Sequence, residues 1–230
     1  MSQTLPRPIQ AVLFDLDGTL VDTAPDFRRV LLQMSRDADI AAPSDEAIQH
    51  TVSNGARALV QLAFAIDEKH PAFDERLATL LSLYLASIGQ TQSALYPGMD
   101  ILLRKLEAAR IPWGVVTNKP SRYSHPLLQA LGLQERCSVL ICPDDVTRSK
   151  PDPEPLLLAC TRLGVETRHT LYVGDHPRDI EAGRAAGMFT IAAAYGYVPA
   201  ASDIHAWGAD LIVDQAETLD SLLIPIATKP

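Results

Sequence analysis

Two aspartates one residue apart close an apolar run: Ala11-Val12-Leu13-Phe14 leads into Asp15-Leu16-Asp17-Gly18-Thr19. Alternate residues of a strand point to the same side, so a strand continued through Asp17 aims both carboxylates one way. Gly18 lets the chain turn sharply and leaves main-chain N–H groups free beside the acids. A strand tip with two carboxylates and open N–H donors suits a divalent cation and a phosphoryl group together. Asp-Gly is also an ordinary turn signal, so the chemistry depends on what else the chain brings to the same edge.

Three later segments have the same form. Val115-Val116-Thr117-Asn118 ends a strand-like run in a hydroxyl and an amide that can hold phosphate oxygens without adding charge; Thr-Asn before a helix is equally an N-cap. In Ser149-Lys150-Pro151-Asp152-Pro153, Pro151 forces extended backbone at Lys150. A rigidly presented ammonium neutralises a phosphoryl group and the carboxylate attacking it, although a solvated lysine at a helix entry has the same sequence. Tyr172-Val173-Gly174-Asp175 delivers a further acid, which could complete a cation site with Asp15 and Asp17, and Asp179 follows a turn later. Asp179 could orient the partners of Asp175 from behind, or serve as a helix N-terminal acid favoured by the macrodipole. Four unrelated turns would not supply, in order, two acids, a hydroxyl, a cation and two more acids.

The elements that must position these groups are short apolar strands at Ala11–Leu16, Trp113–Thr117, Val139–Cys142, Leu171–Val173, Thr190–Ala194 and Leu211–Val213. Helical patterns at Tyr123–Leu131, Pro155–Leu163 and Asp179–Ala186 alternate with them. That alternation predicts an α/β fold with a doubly wound, mainly parallel sheet, whose ligands bind at the carboxyl ends of the strands. Between Val21 and about Ser93 the period is helical throughout: Phe27, Val30, Leu31 and Met34, then Leu59, Leu62, Ala63 and Ile66, then Leu77, Leu80, Leu81 and Tyr84. An all-helical cap over residues 22–93 is expected above the first strand's tip. The core is then discontinuous, over 9–21 and 94–226, with the sheet resumed near Tyr96-Pro97-Gly98.

The composition is ordinary for a soluble globular protein: 230 residues, 47% apolar and 21% charged. A net charge of −8 argues against nucleic acid, and no basic cluster suits an anionic membrane. No apolar run approaches the roughly 20 residues needed to span a bilayer. Met1–Pro8 reads as a loose lead-in without the apolar stretch of a secretory signal, and Ala227–Pro230 as a tail. Cys137, Cys142 and Cys160 lack metal-ligand spacing and read as small buried thiols, which fits a cytoplasmic location.

In these residues the chain resembles the haloacid dehalogenase superfamily, and within it the phosphatases with a helical cap, the phosphoglycolate phosphatase-like group. DLDGT at 15–19, TN at 117–118, KP at 150–151 and GDxxxD at 174–179 match its four motifs in order and spacing, over nearly the whole chain. Val52-Ser53-Asn54-Gly55-Ala56-Arg57 resembles the cap's substrate loop. The stretch Asp179–Met188, with Tyr195-Gly196-Tyr197 and Trp207-Gly208-Ala209-Asp210, resembles a subgroup acting on a lactyl-bearing sugar phosphate. The chain departs from the group's pattern at Pro143, Asp152 and His176.

The resemblance implies that Asp15 is the nucleophile, forming an aspartyl-phosphate, and that Asp17 is the acid and base. It further implies that Lys150 neutralises charge, Thr117 and Asn118 bind the transferring oxygens, and Asp15, Asp17 and Asp175 hold Mg²⁺. Asn54 and Arg57 are the expected cap contacts; Arg57 could read a carboxylate bidentately, or be an exposed helix residue. The implied substrate is a small carboxylated or sugar phosphate ester, with no nucleic-acid or membrane partner. A phosphomutase shares the aspartyl-phosphate, a dehalogenase needs neither Asp17 as an acid nor Mg²⁺, and a non-catalytic sugar-phosphate sensor could use the same pocket. The oligomeric state is not encoded in any feature of the sequence.

Overall fold

The computed structural model describes residues 5, 6, 8–199 and 202–227. Of the lead-in expected over Met1–Pro8 and the tail over Ala227–Pro230, residues 1–4, 7 and 228–230 lie outside the described residues.

Six parallel strands form the central sheet: β1 (Ala11–Phe14), β4 (Trp113–Val116), β5 (Val139–Ile141), β6 (Thr170–Gly174), β7 (Phe189–Ala193) and β8 (Leu211–Val213). They stand in the order β5-β4-β1-β6-β7-β8. Phe14 pairs with Val115 on one side and Val173 on the other, so β1 is central and fully buried. The run carries no polar alternation because both faces are covered. Val12 and Phe14 pack into one apolar cluster with α5 (Met99–Ala108), α6 (Ser121–Ala130) and α9 (Glu217–Ala227). Leu13 packs into the other, with α7 (Glu154–Leu163) and α8 (Pro177–Ala185). Chain order reverses direction at β1, where the crevice beyond the strand ends is the expected binding place.

Directly after β1, residues Val21–Asp22 (β2) pair antiparallel with Ala94–Leu95 (β3) as a two-stranded neck. The helical cap lies between them: α1 (Ala24–Asp37), α2 (Asp45–Val52), α3 (Gly55–Phe64) and α4 (Phe73–Ser87). Phe27, Val30, Leu31 and Met34 bury the inner stripe of α1, and Phe27 stacks on Tyr84 of α4 with ring centroids 4.4 Å apart. Cap and core share one continuous apolar cluster.

Some boundaries move from those expected. The main sheet does not resume at Tyr96-Pro97-Gly98: the chain leaves the neck, Gly98 adopts φ +82°, and α5 starts there, so the sheet resumes only at Trp113. Gly98 is required because a Cβ would lie 2.9 Å from the Glu217 main chain. Ile66 falls outside α3, which ends at left-handed Ala65. Cys142 and Cys160 are buried free thiols, but Cys137 is only half-buried. Among the described residues, no helix is long and apolar enough to cross a membrane.

Candidate active site

β1 ends at Phe14, but the ladder continues one residue: the Asp15 N–H donates to the Val173 carbonyl at 2.9 Å. This fixes Asp15 at the strand tip, beside the tip of β6. The loop after β5 brings Lys150 across to it. The Lys150 ammonium is almost fully buried, with four oxygens within hydrogen-bond distance of its three N–H donors: Asp15 Oδ1 at 2.8 Å, Asp179 Oδ1 at 2.7 Å, the Val116 carbonyl at 2.8 Å and the Tyr172 hydroxyl at 2.7 Å. A buried ammonium persists only when its charge is matched. Burial alone would lower its pKa, but Asp15 and Asp179 outweigh burial and raise it. Asn118 Nδ2 donates to the Lys150 carbonyl at 2.9 Å, so this amide holds the lysine loop in place.

Asp175 follows β6 and is fully buried. Its carboxylate accepts from Thr19 Oγ1 at 3.1 Å, Ser53 Oγ at 3.2 Å and the Tyr197 N–H at 2.8 Å. The approach is close: a Cβ on Gly18, at φ +84°, would lie 2.2 Å from Asp175 Oδ2, and one on Gly196 2.4 Å from Asp175 Cβ. Only glycine fits at either position.

Carboxylate oxygens of Asp15, Asp175 and Asp179 lie within 4.8 Å of one another, all three buried. One lysine stands against three carboxylates, and the proton affinities reflect the imbalance. Burial, followed by the charges of Asp15 and Asp179, pushes Asp175 up to about 8. Burial also raises Asp15 to about 6, with Lys150 opposing and Asp179 and Asp17 adding to the rise. A cluster of hard oxygen donors with excess negative charge fits a divalent cation such as Mg²⁺. Asp15 and Asp175 are placed to hold it. Asp179 is turned to Lys150 and to the His176 N–H, which donates to it at 3.1 Å.

The Asp17 carboxylate is not in this group. Its Oδ1 accepts from the Lys119 ammonium at 2.8 Å and from Thr23 Oγ1 at 2.6 Å, so its side chain faces the cap. The expectation that Asp17 ligates the cation is therefore corrected for its side chain. The turn at Gly18 separates the two acids, and a lysine competes successfully for the second. Thr117 is buried, and its hydroxyl accepts from the Lys119 N–H at 3.1 Å.

A cavity of about 420 Å³ opens between cap and core. Asp15, Asp17, Thr117, Asn118 and Lys119 form its floor, while Ser53, Asn54, Arg57 and Tyr84 belong to its cap side. Arg57 already has a carboxylate partner: it donates twice to Glu68, at 2.9 and 2.7 Å, and lies over the Phe73 ring. Asn54 caps α3 without a side-chain bond. The Arg178 guanidinium donates to the Ser53 carbonyl, so the cap loop is fastened to α8 as well as to Asp175. His176 caps α8: its Nδ1 accepts from the Arg178 N–H at 3.3 Å, and burial with the Arg178 charge lowers its pKa to about 4.

Lys119, Thr23, Ser53, Arg178 and Tyr172 are site residues that sequence reasoning missed. The signal for Lys119 was its place directly after Asn118, and for Ser53 its place directly before Asn54 in the cap loop; the others have no local signature.

A parallel sheet with a helical cap, acids at two strand tips and a buried lysine define a phosphoryl-transfer hydrolase, and comparison with known proteins agrees. Residues 12–193 match the family model of haloacid dehalogenase-like hydrolases, and the chain belongs to that family. The chain is 47% identical over 206 residues to an N-acetylmuramic acid 6-phosphate phosphatase of Pseudomonas putida, covering 90% of this chain and 92% of that protein. It is 42% identical over 211 residues to a phosphoglycolate phosphatase of Xanthomonas campestris, covering 91% and 94%. A crystal structure of a predicted phosphoglycolate phosphatase from Haemophilus somnus superposes with a TM-score of 0.81 at 28% identity, over 93% of this chain and 97% of that one. The protein is a phosphatase of this family, whose phosphatases generally use Mg²⁺.

Proposed function

We propose that the protein hydrolyses N-acetylmuramic acid 6-phosphate to the free sugar and inorganic phosphate, in the cytoplasm, with residues 22–93 closing as a cap over the discontinuous core 9–21 and 94–226. The observation that carries the substrate is the cavity. At about 420 Å³ it lies within the roughly 300–1,000 Å³ of pockets that enclose drug-sized ligands. That is room for a hexose phosphate with its lactyl and acetamido groups, and far more than a two-carbon acid fills. The relative in Pseudomonas putida supports the same choice.

Lys150 holds Asp15 Oδ1, which leaves Oδ2 for attack. The Asp15–phosphorus bond forms as the phosphorus–ester oxygen bond breaks, and Asp17, which must enter this step protonated, passes that proton to the departing alkoxide. Asp17 then takes a proton from the water that cleaves the aspartyl-phosphate, so acid and base are one group used twice. Thr117 and Asn118 hold the transferring oxygens, and the closed cap excludes bulk water. Asp15 and Asp175 would hold Mg²⁺, which would supply the charge that brings two anions together. The Asp17 main-chain carbonyl is a further oxygen donor of the kind this ion takes.

The test is phosphate release by purified protein with Mg²⁺. The expected kcat/KM for N-acetylmuramic acid 6-phosphate exceeds that for phosphoglycolate by at least about tenfold, or about 1.4 kcal/mol. The opposite order would install phosphoglycolate, the reading favoured by the Xanthomonas campestris relative. Phosphate appearing on a second sugar hydroxyl, and not in solution, would make the protein a phosphomutase.

A further inference from the structure

The loop after β7 carries Tyr195-Gly196-Tyr197, which the chemistry above leaves unused. Tyr197 is fully buried and makes polar contacts at both ends. Its N–H donates to Asp175 Oδ2 at 2.8 Å. Its hydroxyl, on the opposite side of the ring, accepts from the N–H groups of Thr23 at 2.6 Å and Ala24 at 2.7 Å, and donates to the Asp22 carboxylate. These N–H groups open α1, the first helix of the cap. The first N–H groups of a helix lack partners within it, and the N-cap residue Thr23 supplies no side-chain bond to them. A phenol from a loop 174 positions away takes that place. Thr23, so held, turns its own hydroxyl to Asp17 Oδ1 at 2.6 Å.

We propose that Tyr197 is a positioning residue for both site carboxylates, holding Asp175 through its own N–H and Asp17 through Thr23, and thereby ties the start of the cap to the acid that meets the leaving group. The inference rests on the reading of Asp17 as acid and base. It adds that the placement of Asp17 is set by a phenol that never touches substrate. The Asp175 contact is main-chain and survives any side-chain change, so replacing the phenol isolates the branch to Asp17.

The test is Tyr197→Phe, Thr23→Ala and their combination, each assayed on two kinds of ester. N-acetylmuramic acid 6-phosphate and phosphoglycolate have poor alkyl leaving groups that need the acid; p-nitrophenyl phosphate leaves with little help. Tyr197→Phe is expected to lower kcat on the better alkyl ester by about tenfold more than on p-nitrophenyl phosphate, with KM moving less than about threefold. Thr23→Ala should show the same bias, and Thr23→Ser should restore the parent ratio. Because both act through one path, the double variant should fall no more than about threefold below the worse single. Equal losses on both ester types, or fully additive losses, would overturn the inference. Asp17→Asn assayed alongside separates the two readings. An alkyl bias in Asp17→Asn but not in Tyr197→Phe removes the role of Tyr197 alone, whereas no bias in Asp17→Asn removes the acid itself and the inference with it.

Discussion

The Lys119 ammonium stands 2.8 Å from Asp17 Oδ1, at the floor of the cavity and beneath the stacked rings of Phe27 and Tyr84, whose centroids lie 5.1 and 4.7 Å away. Both charges are nearly buried, with side-chain exposures of 7% and 16%. Burial alone would lower the pKa of the lysine; Asp17, with Tyr84, outweighs it and raises the value. Removing one partner of such a pair strands the other, which costs roughly 3–5 kcal/mol. Lys119→Met is therefore expected to lower unfolding stability by about that much in urea titrations, and Lys119→Met/Asp17→Asn to recover most of it. A double variant as unstable as the sum of the singles would show that the pair is not coupled.

Asp15 stands at the tip of β1 with Oδ1 on the Lys150 ammonium and its carboxylate in the cluster with Asp175 and Asp179. Asp15→Asn is expected to release no phosphate above background on any ester, while keeping a melting temperature at least equal to the parent's. An amide there removes a buried negative charge and its crowding with Asp179 and Asp17, which offsets the loss of the charge facing Lys150. Turnover within about tenfold of the parent, measured by phosphate release, would exclude Asp15 as nucleophile.

Crowded carboxylates also set a pH dependence. Asp175 is raised to about 8 and Asp15 to about 6, from an unfolded value near 3.8, in each case chiefly by burial. The folded protein then retains protons that the unfolded chain has released. Stability in the absence of metal is full below about pH 4 for these two groups, and is lost as pH rises through 6 and 8. Mg²⁺ held by the ionised forms would oppose that loss. Thermal melts in EDTA should fall between pH 5.5 and pH 8.5, and the gain on adding Mg²⁺ should grow over the same range. A Mg²⁺ gain that shrinks with rising pH would contradict this charge balance.

The strand tips were legible in the sequence because Asp15, Thr117 and Asp175 each follow an apolar run that must be a buried strand, and β1, β4 and β6 are neighbours in the sheet. Position along a strand carries over directly to position at the sheet edge, so these three could be grouped before any coordinates, whereas Lys150 reaches the site from the loop after β5. What the sequence hides is how the groups pair. Asp15 and Asp17 share one motif, yet the turn at Gly18 sends one to Lys150 and the other to Lys119. Nor does any local pattern show that Tyr197 caps a helix 174 positions earlier, because that contact exists only once the loop after β7 folds back on the neck. Arg57 reads as a free guanidinium in the sequence, and the partner it finds in Glu68 lies beyond the end of α3.

That Arg57–Glu68 pair makes the last prediction. Both side chains are about half exposed, at 51% and 49%, and solvent screening leaves exposed pairs of this kind contributing little. Arg57 can leave Glu68 for a substrate carboxylate at little cost, since the fork that grips one carboxylate suits another. Glu68 then competes with substrate. Glu68→Gln weakens the competitor, so KM for N-acetylmuramic acid 6-phosphate should fall by up to about fivefold, the equivalent of about 1 kcal/mol. Arg57→Ala should raise KM for that ester more than for p-nitrophenyl phosphate, which has no carboxylate to read. Steady-state kinetics on the two esters decides it. If both variants move KM equally on both substrates, Arg57 braces the cap through Glu68 and the Phe73 ring and takes no part in recognition.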